Sequence, residues 1–60
     1  MSNDEILIEF VVQGIFVKAT AIHAKTGREV SIVGPASSPR AALAQAAARK
    51  LEYVMKKEGG

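Results

Sequence analysis

The chain of 60 residues contains no cysteine, which excludes a disulfide framework and any thiolate metal site. Histidine and aspartate occur once each, as His23 and Asp4, so a Ser-His-Asp arrangement has no credible members in a single chain. No pair of ligands sits at metal-binding spacing, and no Walker-type or Rossmann glycine pattern is present. Glu5 and Glu9 share one face of a predicted strand, but Lys18 across the hairpin explains Glu9 better than acid–base work does. The expectation is a non-enzyme with no catalytic, cofactor-binding or metal-binding residues and no cofactor. Long apolar runs are missing too. Nothing approaches the roughly 18 residues of a spanning helix, and the opening "MSNDE" lacks the basic segment of an export signal. A soluble, cytoplasmic protein that makes no membrane contact is expected, in keeping with the lack of cysteine.

What is present is enough for one small domain. Ile, Leu, Val and Phe account for 16 of 60 residues, above the level at which disorder becomes the default. A chain this short buries only roughly 60% of its unfolded surface, so association with a second copy is a natural way to gain buried area. The net charge is +2 but unevenly spread: residues 1–13 hold three acids and no base, whereas 39–58 hold five bases against Glu52 and Glu58.

The stretch "EILIEFVVQGIFVKATAIH" reads as a hairpin with Gln13-Gly14 as a two-residue turn. That register sets Val12 against Ile15, Phe10 against Val17, Ile8 against Ala19 and Glu9 against Lys18, the last an opposite-charge pair. A second turn over His23 to Thr26, with Gly27 as the left-handed residue, leads into "EVSIVG". A four-residue loop there sets Val30 opposite Ala21 and Ile32 opposite Ala19; a three-residue loop turns those side chains over.

Gly34-Pro35 closes the third strand, Ser38 is the expected N-cap and Pro39 the first helical residue. The helix should run to about Lys57, with Leu43, Ala47, Leu51 and Val54 as its apolar stripe, flanked by Ala44, Ala48 and Met55. The fold expected is α+β: a three-stranded antiparallel meander followed by one C-terminal helix packed on one face. It makes a single domain over 1–60, with 1–4 and 58–60 frayed.

One helix covers one face. Ile6, Ile8, Phe10, Val12, Ile15, Val17, Val30 and Ile32 are expected beneath it. The other face carries Leu7, Val11, Phe16, Ile22 and Val33, more apolar than a sheet face in water usually is. A homodimer is expected through this face, through an edge strand, or through both, and contact with another protein partner is a further reading of these five residues. A second reading places a phosphate or nucleic acid at the helix start, on Ser38 and Arg40, with Lys25, Arg28, Arg49 and Lys50 as further contacts.

Two resemblances follow from these residues. "SSPRAALAQAAARKL" after three strands resembles the C-terminal part of a double-stranded-RNA-binding domain: Ser38, Ala42, Ala46 and Ala47 match its pattern. Of that family's three lysine positions, filled here by Pro39, Arg40 and Leu43, only Arg40 is basic. The resemblance thus implies βββα geometry more than RNA contacts. The stretches "VKATAI", "TGREVSIVGPA" and "ARKLEYVMKK" are similar to a family of short bacterial proteins of unknown function, over nearly all of residues 5–57. Some of its members carry the label serine hydroxymethyltransferase. A pyridoxal-phosphate enzyme needs a large fold that encloses its cofactor, so what this resemblance implies is the fold and a bacterial source.

Overall fold

The structure, a computed structural model, describes residues 5–59. Strands β1 (Ile6–Gln13), β2 (Phe16–His23) and β3 (Glu29–Pro35) are followed by helix α1 (Arg40–Gly59). The sheet is antiparallel with order β1-β2-β3, the α+β meander and helix expected from the sequence. Asp4 and the rest of the expected N-terminal fray lie outside the described residues. At the other end the helix continues beyond Lys57 to Gly59, and Glu58, expected to fray, forms an ion pair with Arg28.

The first hairpin differs from the sequence reading by two residues. Gln13 faces Phe16, Val12 faces Val17, Phe10 faces Ala19 and Ile8 faces Ala21. The turn is therefore Gly14-Ile15 rather than Gln13-Gly14. Gly14 has φ +62° and no described residue other than glycine has positive φ. A single left-handed residue at the first turn position defines a type II′ turn, whose twist suits a two-residue hairpin. Glu9 now stands opposite Thr20, and Lys18 opposite Val11, so the expected Glu9–Lys18 pair becomes a diagonal one. The second hairpin has the four-residue loop: Ala21 faces Val30 and Ala19 faces Ile32. Gly27 takes φ +79°, and its N–H donates to the His23 carbonyl at 2.8 Å.

His23 is the buried last residue of β2 rather than a free turn residue. The Thr26 N–H donates to its Nδ1 at 3.3 Å, and the Thr26 hydroxyl lies 3.1 Å from the same nitrogen. The Arg28 N–H in turn donates to Thr26 Oγ1. This chain of side-chain bonds ties the turn to the end of the sheet.

The core is one layer. Val17, Ala19 and Ala21 of β2 meet Leu43, Ala47 and Leu51 of α1, with Ile6, Ile8, Val30, Ile32, Ala36 and Met55 around them. Alanines at the centre let the helix lie close to the sheet. Gly34 takes this furthest: a Cβ built there would stand 2.6 Å from Leu43 Cδ2. The helix starts one residue later than a serine cap implies. Ser38 N–H closes a turn on the Pro35 carbonyl, and the Pro39 carbonyl is the first to accept helical bonds, from Ala42 and Leu43. Pro39 thus holds the capping position. Among the described residues no helix is long and apolar enough to cross a membrane.

Candidate functional site

The two-residue shift of the first hairpin leaves face membership unchanged, because side chains alternate with a period of two. Leu7, Val11, Phe16, Ile22 and Val33 therefore share the helix-free face. Leu7 is 47% exposed, Val11 41%, Phe16 49% and Val33 62%, and Ile22 is half-buried. The register orders them into rows across the sheet. Leu7 and Ile22 lie side by side at one end; Val11 and Val33 flank Lys18 towards the other, next to Phe16 and Pro35. Between these groups runs a polar row, Glu9-Thr20-Ser31, in which Thr20 Oγ1 and Ser31 Oγ lie 2.8 Å apart. The apolar surface is thus two patches separated by a hydrogen-bonded belt, a division that the sequence register did not give.

The other face has an uncovered margin that sequence reasoning missed. Phe10, Val12 and Ile15 were expected beneath the helix, yet Val12 is 59% and Ile15 75% exposed, and Phe10 also counts among the exposed residues. The physical reason is width. A helix about 10 Å across spans only two strands spaced about 4.8 Å apart, and this one packs against Val17, Ala19 and Ala21 of β2 and Val30 and Ile32 of β3. The outer half of β1 is left beyond its reach. The end of the β1–β2 hairpin consequently shows apolar side chains on both faces.

The cations expected to hold a phosphate are not brought together. The Arg28 guanidinium pairs with the Glu58 carboxylate, beside an open cleft lined by these two residues, Thr26 and Met55. Arg40 is at the opposite end of the helix, about 27 Å away at 1.5 Å per residue. In an antiparallel meander the second turn and the exit from β3 lie at opposite ends of the sheet, which separates Lys25 and Arg28 from Ser38 and Arg40. Lys50 Nζ donates to the Ser31 carbonyl at 3.0 Å. Arg40 Nη1 donates to the Ala36 carbonyl at 3.4 Å, and its guanidinium carbon lies 5.8 Å from the centre of the Phe10 ring. Arg49 is exposed midway along α1. Each of Arg28, Arg40 and Lys50 therefore has a structural contact of its own. Among the described residues no group of three His, Asp or Glu side chains could hold a metal ion.

Fold and surface together define a small βββα domain with an uncovered sheet face. The chain belongs to the family described as a domain of unknown function (DUF6898), which it matches over residues 3–58. No curated protein and no solved structure matches the chain.

Proposed function

We propose that this domain is a non-catalytic interaction module that associates with further copies of itself through the helix-free face of its sheet. The observation that carries the reading is the exposure of Leu7, Val11, Phe16 and Val33 on a face that no helix covers. Apolar side chains gathered in this way on a small domain are a feature of contact surfaces. The core supports it as well: the buried apolar side chains form one thin layer, which gives a chain of 60 residues little stability of its own. The polar row between the patches would set the register of two faces, since an offset copy would bury the Glu9 carboxylate against apolar side chains.

Sedimentation equilibrium over a wide concentration range tests this. The expected result is a species heavier than one chain, with a lower mass for Val33→Lys, which puts a charge in the patch without touching the core. A single-chain mass at millimolar concentration would end the proposal.

A further inference from the structure

The two edges of the sheet differ. At the two ends of β3 the backbone groups of the flanking residues Arg28 and Ala36 point to the β2 side, as shown by His23 N–H on the Arg28 carbonyl and Ala36 N–H on the Ile15 carbonyl. Antiparallel alternation then turns those of Glu29, Ser31, Val33 and Pro35 outward. This outer edge is obstructed: Lys50 occupies the Ser31 carbonyl, and Pro35 has no N–H to give. Just before β1 the Glu5 carbonyl accepts from Ala24 N–H across the hairpin, so the odd-numbered residues of β1 bond inward and Ile6, Ile8, Phe10 and Val12 present N–H and C=O outward. Over its eight residues β1 contains no proline, glycine or lysine, and among the described residues no strand pairs with its outer side. It is a long, apolar, unprotected edge, the kind that ordinarily pairs.

We infer that β1 pairs antiparallel with β1 of a second copy, centred on Phe10 against Phe10, to make a continuous six-stranded sheet. The asymmetry of the edges selects the occupant. Two open edges would propagate into fibres, whereas one open and one obstructed edge close after a single two-fold pairing. Charge and coverage select the register. A two-fold axis at Glu9 sets two carboxylates directly opposite, which is unfavourable. An axis at Ile8 leaves the exposed Val12 outside the pairing, whereas one at Phe10 leaves out only Ile6, whose side chain already packs on the core; one at Val11 does not engage the outward groups of Ile8 with a strand residue. Centring on Phe10 offsets the two Glu9 side chains, engages the outward groups of Ile8, Phe10 and Val12, and places Val12 beside Ile8 of the other copy. The uncovered margin of β1 is then covered by its own counterpart.

This inference rests on the self-association reading but uses a different seam, and the two separate in one experiment. Val33→Lys removes the face contact, since Val33 lies in β3, two strands from the seam. Val12→Pro removes one outward N–H and leaves the β1–β2 ladder intact. Sedimentation should give Val33→Lys the mass of two chains and Val33→Lys with Val12→Pro the mass of one, both with native far-UV circular dichroism. A single-chain mass for Val33→Lys alone would overturn edge pairing and leave the face reading standing. If every variant and the parent chain were monomeric, both would fall, and the edge would be open to a strand from a different protein. Crosslinking checks the register without proline: the absence of native cysteine makes Glu9→Cys and Val11→Cys clean probes. Disulfide yield on mixing the two should exceed that of either alone at least fivefold; equal or greater yield from Val11→Cys alone would refute the Phe10 axis.

Discussion

Replacing Gly34 with alanine isolates the contact that sets the distance between helix and sheet. Among the described residues positive φ is confined to Gly14 and Gly27, so an alanine at 34 meets no backbone strain. Its methyl group would meet Leu43 Cδ2 at 2.6 Å, with the next nearest atom, Leu43 Cγ, at 3.9 Å. Overpacking of this kind costs about 1–3 kcal/mol. Against it stands about 0.5 kcal/mol gained from the stiffer unfolded chain, for a net destabilisation of about 0.5–2.5 kcal/mol. A domain of 60 residues has only about 3–9 kcal/mol in total, so the change is large enough to measure in urea at a fixed protein concentration. The obstacle is one side chain, so shortening it should relieve the clash. Leu43→Val alone should cost about 1 kcal/mol. In that background Gly34→Ala should become neutral or slightly stabilising, a coupling of about 1–2 kcal/mol between the two sites. Additive effects would refute the reasoning, because the cost at Gly34 would then not come from Leu43.

Other expectations are simpler to test. Leu51 is wholly buried, and Leu51→Ala should cost about 2–5 kcal/mol, enough to unfold much of the population at 37 °C by circular dichroism. Gly14→Ala should cost about 1–2 kcal/mol through φ alone, since nothing lies within 4 Å of the added Cβ; Gly14→Asn should recover part of this in the same urea titration. Thr26→Val removes the hydroxyl shared by His23 Nδ1 and the Arg28 N–H and should cost about 1–2 kcal/mol, with faster amide exchange at Arg28. By contrast Glu58→Gln breaks an exposed ion pair and should change stability by less than about 1 kcal/mol, the difference shrinking further in high salt.

The fold was legible because each element carries a local cue. β-branched runs mark the strands, Gly27 marks the second turn, and the stripe of Leu43, Ala47 and Leu51 marks the buried side of the helix. The first register was not legible, for a specific reason. Pairing large side chains with small ones repeats every two residues, so a slip of two leaves faces intact and most pairs plausible, and the Glu9–Lys18 pair it gives up survives as diagonal neighbours. Only the turn distinguishes the two registers. Gly14 favours the first turn position of a type II′ hairpin, where one positive φ suffices, but that register requires reading Ile15, an apolar residue, as the second turn position. Its 75% exposure is the cost of that choice.

The uncovered part of β1 and the scattered cations have a common origin that no residue pattern reveals. Periodicity says which side of an element a residue takes, and it was right for Phe10 and Val12, which do lie on the helix side. It carries no information on how far sideways a single helix reaches. The small residues decide that. Ala19 and Ala21 on β2, with Gly34 on β3, form the shallow track into which Leu43 and Ala47 descend, and β1 offers only larger side chains there. The helix follows the track over β2 and β3, from where Lys50 reaches the outer carbonyl of Ser31 and Arg40 leans back towards Phe10. One packing preference therefore obstructs the β3 edge, exposes the β1 edge and gives Arg40 and Lys50 their structural contacts. Shifting the helix towards β1 would have to reverse all of these together.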